Sequence, residues 1–203
     1  MTRKTLGAVL LLLVAFVGPA FAHPNHADHA FSDGFAHPWF GVDHLAAMLG
    51  VGLLAARLGG RGLWLVPAAF LGAMTLGAVA SWGDGSLAQT AWWGELGVMF
   101  SVAVYGLLLA RKQTTSLAVC LLLVATFALF HGYAHAAEAN GAAVAPYLVG
   151  MVSATAALHA TGIAAGVGLM RLANGQVNGD RLVRTSGAAI AALGIMLLAG
   201  QLI

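Results

Sequence analysis

The chain has 203 residues, of which 60% are hydrophobic and only 8% charged, with nine basic and seven acidic side chains and a formal charge of +2. A soluble domain this apolar would aggregate, so the composition places the chain among integral membrane proteins in contact with a lipid bilayer. The basic residues form no patch, so no nucleic acid is expected as a partner, and the lone Cys120 excludes an intrachain disulfide and a cysteine-based metal site.

Residues 1–22 read as a secretory signal peptide: Arg3 and Lys4 form its basic end, Leu6 to Val17 its apolar stretch, and Ala20-Phe21-Ala22 a small-residue cleavage site. The alternative is an uncleaved anchor, because Gly18 and Pro19 break the helix where processing would need it. Residues 23–36 then form a His-rich N-terminal segment. Its His23, His26 and His29 lack the third-position histidine of the square-planar amino-terminal copper and nickel site, and Pro24 has no amide proton to lose. Metal capture there would use the free amine, the imidazoles and Asp28; a merely solvated tail is the plain alternative.

The remaining domain, 37–203, carries six apolar segments near 38–57, 63–82, 91–110, 116–136, 146–170 and 183–202, each close to the roughly 20 residues a spanning helix needs. The expected fold is an all-α membrane protein, a six-transmembrane-helix bundle after an N-terminal signal peptide, with seven helices if the signal is retained. With residue 23 outside, Arg57, Arg61, Arg111, Lys112, Arg171, Arg181 and Arg184 all fall on the inner side, whereas Asp28, Asp33, Asp84 and Glu138 fall outside. That asymmetry is the positive-inside pattern, and it predicts a multi-pass protein of the bacterial inner membrane with a periplasmic mature N-terminus. Gly162-x3-Gly166 and Ala188-x3-Ala192 have the small-residue spacing that lets helix backbones approach, and Trp82, Trp92 and Trp93 flank an outer loop as interfacial aromatics do. Nothing in the sequence selects a homo-oligomer over a monomer, though such an assembly is compatible with the layout.

Ionisable groups recur at the outer ends of these segments. Each costs roughly 2.5 kcal/mol or more at a bilayer centre unless it faces protein, water or a metal. The first span opens His37-Pro38-Trp39-Phe40-Gly41-Val42-Asp43-His44. On a regular helix His37 and His44 share a face but stand about 10 Å apart along the axis, too far for one ion. Pro38 and Gly41 predict a bent or unwound start that would swing His37 toward Asp43 and His44. Otherwise His37 is an interfacial residue above the site. Late in the fourth span, His131 and His135 are one turn apart and Glu138 lies on the same face, a ready bidentate pair with a carboxylate. Helix-end solvation is the alternative for all three. Glu95 of the third span comes out at a similar depth, as a ligand or as a protonated, hydrogen-bonded carboxyl. His159 lies deeper in the fifth span, either as a lower station on a path or as a neutral histidine bonded to its neighbours. Met48 and Met99, one turn below His44 and Glu95, read as core fillers before exit-lining thioethers.

His37-x5-Asp43-His44 in the first span, followed by Phe130-His131-Gly132-Tyr133-Ala134-His135-x2-Glu138 in the fourth, resembles the HupE/UreJ family of nickel and cobalt permeases. The resemblance covers the signal, the six-span layout and the length. It implies secondary uptake of Ni²⁺ or Co²⁺ as a transported substrate, with no prosthetic group and no enzymatic activity, and His37, Asp43, His44, His131 and Glu138 at the family's metal positions. His135 falls where the family is expected to vary, so its ligand role rests on spacing alone. Imidazole with carboxylate suits late first-row divalent cations without selecting nickel among them. Two rival classes fit the same residues: a zinc-dependent membrane hydrolase, with Ser101 or Ser153 assisting, and a metal-binding sensor without flux.

Overall fold

The computed structural model describes residues 29–82, 87–139, 143–171 and 178–201. The signal segment, His23, His26 and Asp84 lie outside the described residues. All described secondary structure is helical. Seven helices follow one another: α1 (Ala30–Phe40), α2 (Val42–Leu58), α3 (Gly62–Ser81), α4 (Leu87–Ala110), α5 (Leu117–Glu138), α6 (Val144–Arg171) and α7 (Gly179–Gln201). Helices α3 to α7 are each long and apolar enough to cross a membrane, and α1 with α2 makes a sixth candidate span bent by 80°. At about 1.5 Å per residue, a 20-residue helix matches a hydrocarbon core of roughly 30 Å.

The first span bends near its start, as Pro38 and Gly41 predicted. A single helix over 38–57 is replaced by two, and part of the expected N-terminal segment is helical as α1. Pro38 does not open the spanning helix but sits buried inside α1. The chain breaks at Gly41, whose extended backbone (φ −80°, ψ 115°) ends α1 and starts α2. At the far end of α2, Gly59 and Gly60 both take positive φ (65° and 46°), and the Gly59 N–H closes the helix by donating to the Ala55 carbonyl. Only glycine adopts two such residues in succession without strain, and the turn reverses the chain into α3.

Small residues set the packing. Gly162 of α6 lies against the Leu49 carbonyl and Gly52, and Gly166 against Ala56 and Leu53, so the Gly162-x3-Gly166 pair brings α6 onto α2 as the spacing suggested. The Ala188-x3-Ala192 pair does not pack: both residues are exposed. The stripe of α7 that meets α4 is Gly187, Ala191 and Gly194, against Leu109, Gly106 and Ala103. One residue of offset turns a helix by about 100°, enough to exchange the packed row for an outer one.

The two ends of the bundle differ in chemistry. At one end the Arg57 side chain, 5% exposed, gathers α2, α4 and α7: Nε donates to Asp180 Oδ1 (3.0 Å), Nη1 to the Leu109 carbonyl (2.9 Å) and Nη2 to the Arg111 carbonyl (2.8 Å). Arg184 Nε donates to the Ala110 carbonyl beside it (3.1 Å). At the other end Trp92 and Trp93 stack at 3.9 Å, both exposed, while Trp82 leans edge-on against Tyr147. The histidines converge at this second end.

Candidate metal centre

The break at Gly41 builds the centre. Because α1 turns by 80° into α2, the His37 ring returns to the first turn of α2, with its centroid 5.2 Å from that of His44. His135, near the end of α5, meets both: its centroid is 4.9 Å from His37 and 4.8 Å from His44. One ligand atom from each of His37, His44 and His135 lies within 4.8 Å of the others. Ligands about 2.1 Å from one ion in tetrahedral array stand about 3.4 Å apart. Closing on a cation therefore needs about an ångström of movement.

His44 is oriented from behind. Asp43 Oδ1 accepts from the His44 backbone N–H (2.8 Å) and from the His44 ring at Nδ1 (3.0 Å). A carboxylate can only accept, so a neutral His44 carries its proton on Nδ1 and turns Nε2 toward the cluster, the carboxylate–histidine arrangement found behind many metal ligands. Asp43 is 15% exposed and lies in the first turn of α2, where the helix dipole favours a negative charge. It contacts His44 and lies outside the group of three.

His131, one turn below His135, is fully buried and edge-on to His44 at 5.5 Å. Its Nδ1 donates to the Phe127 carbonyl (3.0 Å), leaving Nε2 with no hydrogen-bond partner among the described residues. The Phe70 ring of α3 has its centroid 5.0 Å from that of His131 and 4.9 Å from that of His159 of α6. Ring contacts link His37, His135, His44 and His131 to one another, and Phe70 touches both His131 and the more distant His159. Phe70 was not legible as a site residue, since nothing distinguishes it in sequence from the other apolar residues of a spanning helix.

The remaining candidates fall elsewhere. Glu95 is half-buried on α4, next to Gly94, which packs against Tyr133 and Ala134 of α5, so it is level with the cluster but not among the three close residues. Glu138 ends α5, and its side chain lies outside the described residues. His29 precedes α1 and is exposed. Met48 and Met99 are buried in the core. Ser101 and Ser153 donate to carbonyls of their own helices (2.6 and 2.7 Å).

The family model described as HupE / UreJ protein matches residues 10–197 of the chain. Over 192 residues the chain is 36% identical to "Protein HupE" of Rhizobium leguminosarum bv. viciae, an alignment covering 93% of this chain and 95% of that protein. No solved structure shows significant similarity to this chain.

Proposed function

Because the chain belongs to the HupE/UreJ family, whose members are permease-type accessory or transport proteins and not enzymes, we propose that it carries Ni²⁺, with Co²⁺ as an alternative substrate, from periplasm to cytoplasm by way of the histidine cluster. The observation that carries this reading is the convergence of His37, His44 and His135 from three helices inside an apolar bundle, with Asp43 aligned behind His44. Polar side chains at membrane depth are costly and mark substrate pathways. Three imidazoles at distances slightly too wide for one ion suit a cation that binds, completes its shell with water and leaves again. The even spread of arginines at the opposite end supports a cytoplasmic placement for that end and a periplasmic one for the cluster. On this reading His23, His26 and His29 lie on the side from which the ion arrives.

Radioactive Ni²⁺ uptake by proteoliposomes, with Co²⁺, Zn²⁺ and Cu²⁺ as competitors, tests the proposal. Uptake that is saturable, inhibited best by Co²⁺ and lost in His44→Ala supports it. Tight binding without flux in the wild-type protein would overturn it in favour of a sensor.

A further inference from the structure

His159 stands apart from the site just described. It is 1% exposed, roughly 22 Å along α6 from the first residue. Neither of its ring nitrogens has a hydrogen-bond partner among the described residues. Buried polar groups in folded proteins are ordinarily bonded, so an imidazole with two such nitrogens in an apolar bundle calls for a partner from outside the chain. Two further donors share its surroundings. Thr155 lies one turn earlier on the same face of α6, and its Oγ1 donates to Met74 Sδ (3.8 Å), one turn along α3 from the Phe70 that touches His159. Both Thr155 and Met74 are fully buried.

We infer that His159, with the Thr155 hydroxyl and the Met74 thioether, forms a second and weaker station for the transported divalent cation, separated from the outer histidines by the Phe70 ring. The inference rests on the permease reading above. An imidazole nitrogen, a hydroxyl oxygen and a thioether sulfur together suit a borderline-soft cation and would hold Mg²⁺ or Ca²⁺ poorly. One strong and two weak donors hold such an ion loosely, which onward release requires. Phe70 meets both His131 and His159, the latter at 90° between ring planes. A fully buried benzene ring there keeps the two stations from exchanging ions freely, so its displacement would mark the step between them.

The test compares full-length wild-type protein, His159→Leu and His159→Cys in proteoliposomes, reading Ni²⁺ and Cd²⁺ flux together with Ni²⁺ binding by equilibrium dialysis. In His159→Leu, Ni²⁺ binding should stay within about twofold of wild type while Ni²⁺ flux falls by about tenfold or more. In His159→Cys, flux should persist and the ratio of Cd²⁺ to Ni²⁺ flux should rise, since a thiolate is a softer ligand than imidazole. A residue that merely fills space would accept leucine and leave the ratio unchanged. Wild-type flux in His159→Leu, loss of binding together with flux, or an unaltered ratio in His159→Cys each overturns the inference. Absence of flux in the wild-type protein instead removes the permease reading on which it stands.

Discussion

At the scale of single residues, the contact that organises the cluster is Asp43 to His44. The carboxylate fixes the tautomer and direction of one imidazole without joining the group of three. Asp43→Asn keeps the shape and loses the charge, so Ni²⁺ affinity measured by calorimetry should fall by about 10–100-fold with no loss of helicity. Gly41 is constrained by the same pair: a Cβ there would lie 3.0 Å from both Asp43 Oδ1 and His44 Nδ1. Gly41→Ala should therefore weaken metal binding by about as much as Asp43→Asn, through displacement of an intact pair. Protons compete with the metal for imidazole nitrogens, so Ni²⁺ affinity should decline as pH falls. Affinity independent of pH would rule out imidazole ligation. The residue types and the His131–His135 spacing were visible in the chain. The direction of the His44 ring was not, because it depends on a hydrogen bond whose geometry the bend at Gly41 sets.

Among the elements, the junction of α1 and α2 matters most. Pro38 and Gly41 marked a disturbance in sequence, but the bend of 80° and the burial of Pro38 within a preceding helix depend on α1 finding a surface on α6, where Gly34 lies against the Tyr147 carbonyl and Gly150 against that of Phe31. Contact between α2 and α6 relies likewise on Gly162. Gly162→Leu would force side-chain atoms into the Leu49 carbonyl and should destabilise the protein by about 1–3 kcal/mol, seen as a lower thermal midpoint in detergent. Ala188→Leu, on the exposed row of α7, should change stability by less than about 0.5 kcal/mol. The pair of variants checks which row packs. Spacing alone could not choose between Ala188-x3-Ala192 and the neighbouring row, because both offer small residues at helical intervals.

In the whole molecule, the histidine cluster occupies one end and the Arg57 network the other. Arg57 joins the ends of α2 and α4 to the start of α7, and its guanidinium binds carbonyls that the last turn of α4 leaves without helical partners. Arg57→Ala should lower the unfolding free energy by about 1–3 kcal/mol, since the carbonyls lose a charged donor while Asp180, 45% exposed, is resolvated. Ni²⁺ binding at the far end should survive. Loss of binding alongside stability would instead show the two ends to be coupled, as alternation between inward and outward openings would require. From sequence, Arg57 was a topology marker only. Its role as a tie between three helices arises because chain reversal brings residues 57, 109, 111 and 180 to the same end.

Composition and the 20-residue periodicity of apolar segments were enough to determine a helical membrane bundle, because a bilayer leaves the backbone few ways to satisfy its hydrogen bonds. The polar residues were likewise legible as exceptions, each costly in lipid and therefore conspicuous. Which of them meet was decided by the tertiary structure. His37 joins His44 and His135 only through the break at Gly41, Glu95 stays outside that group, and Phe70 meets both His131 and His159. The physical reason is that helical spacing determines the neighbours along one helix, whereas a site shared by several helices depends on bends, crossing points and rotations set by packing between them.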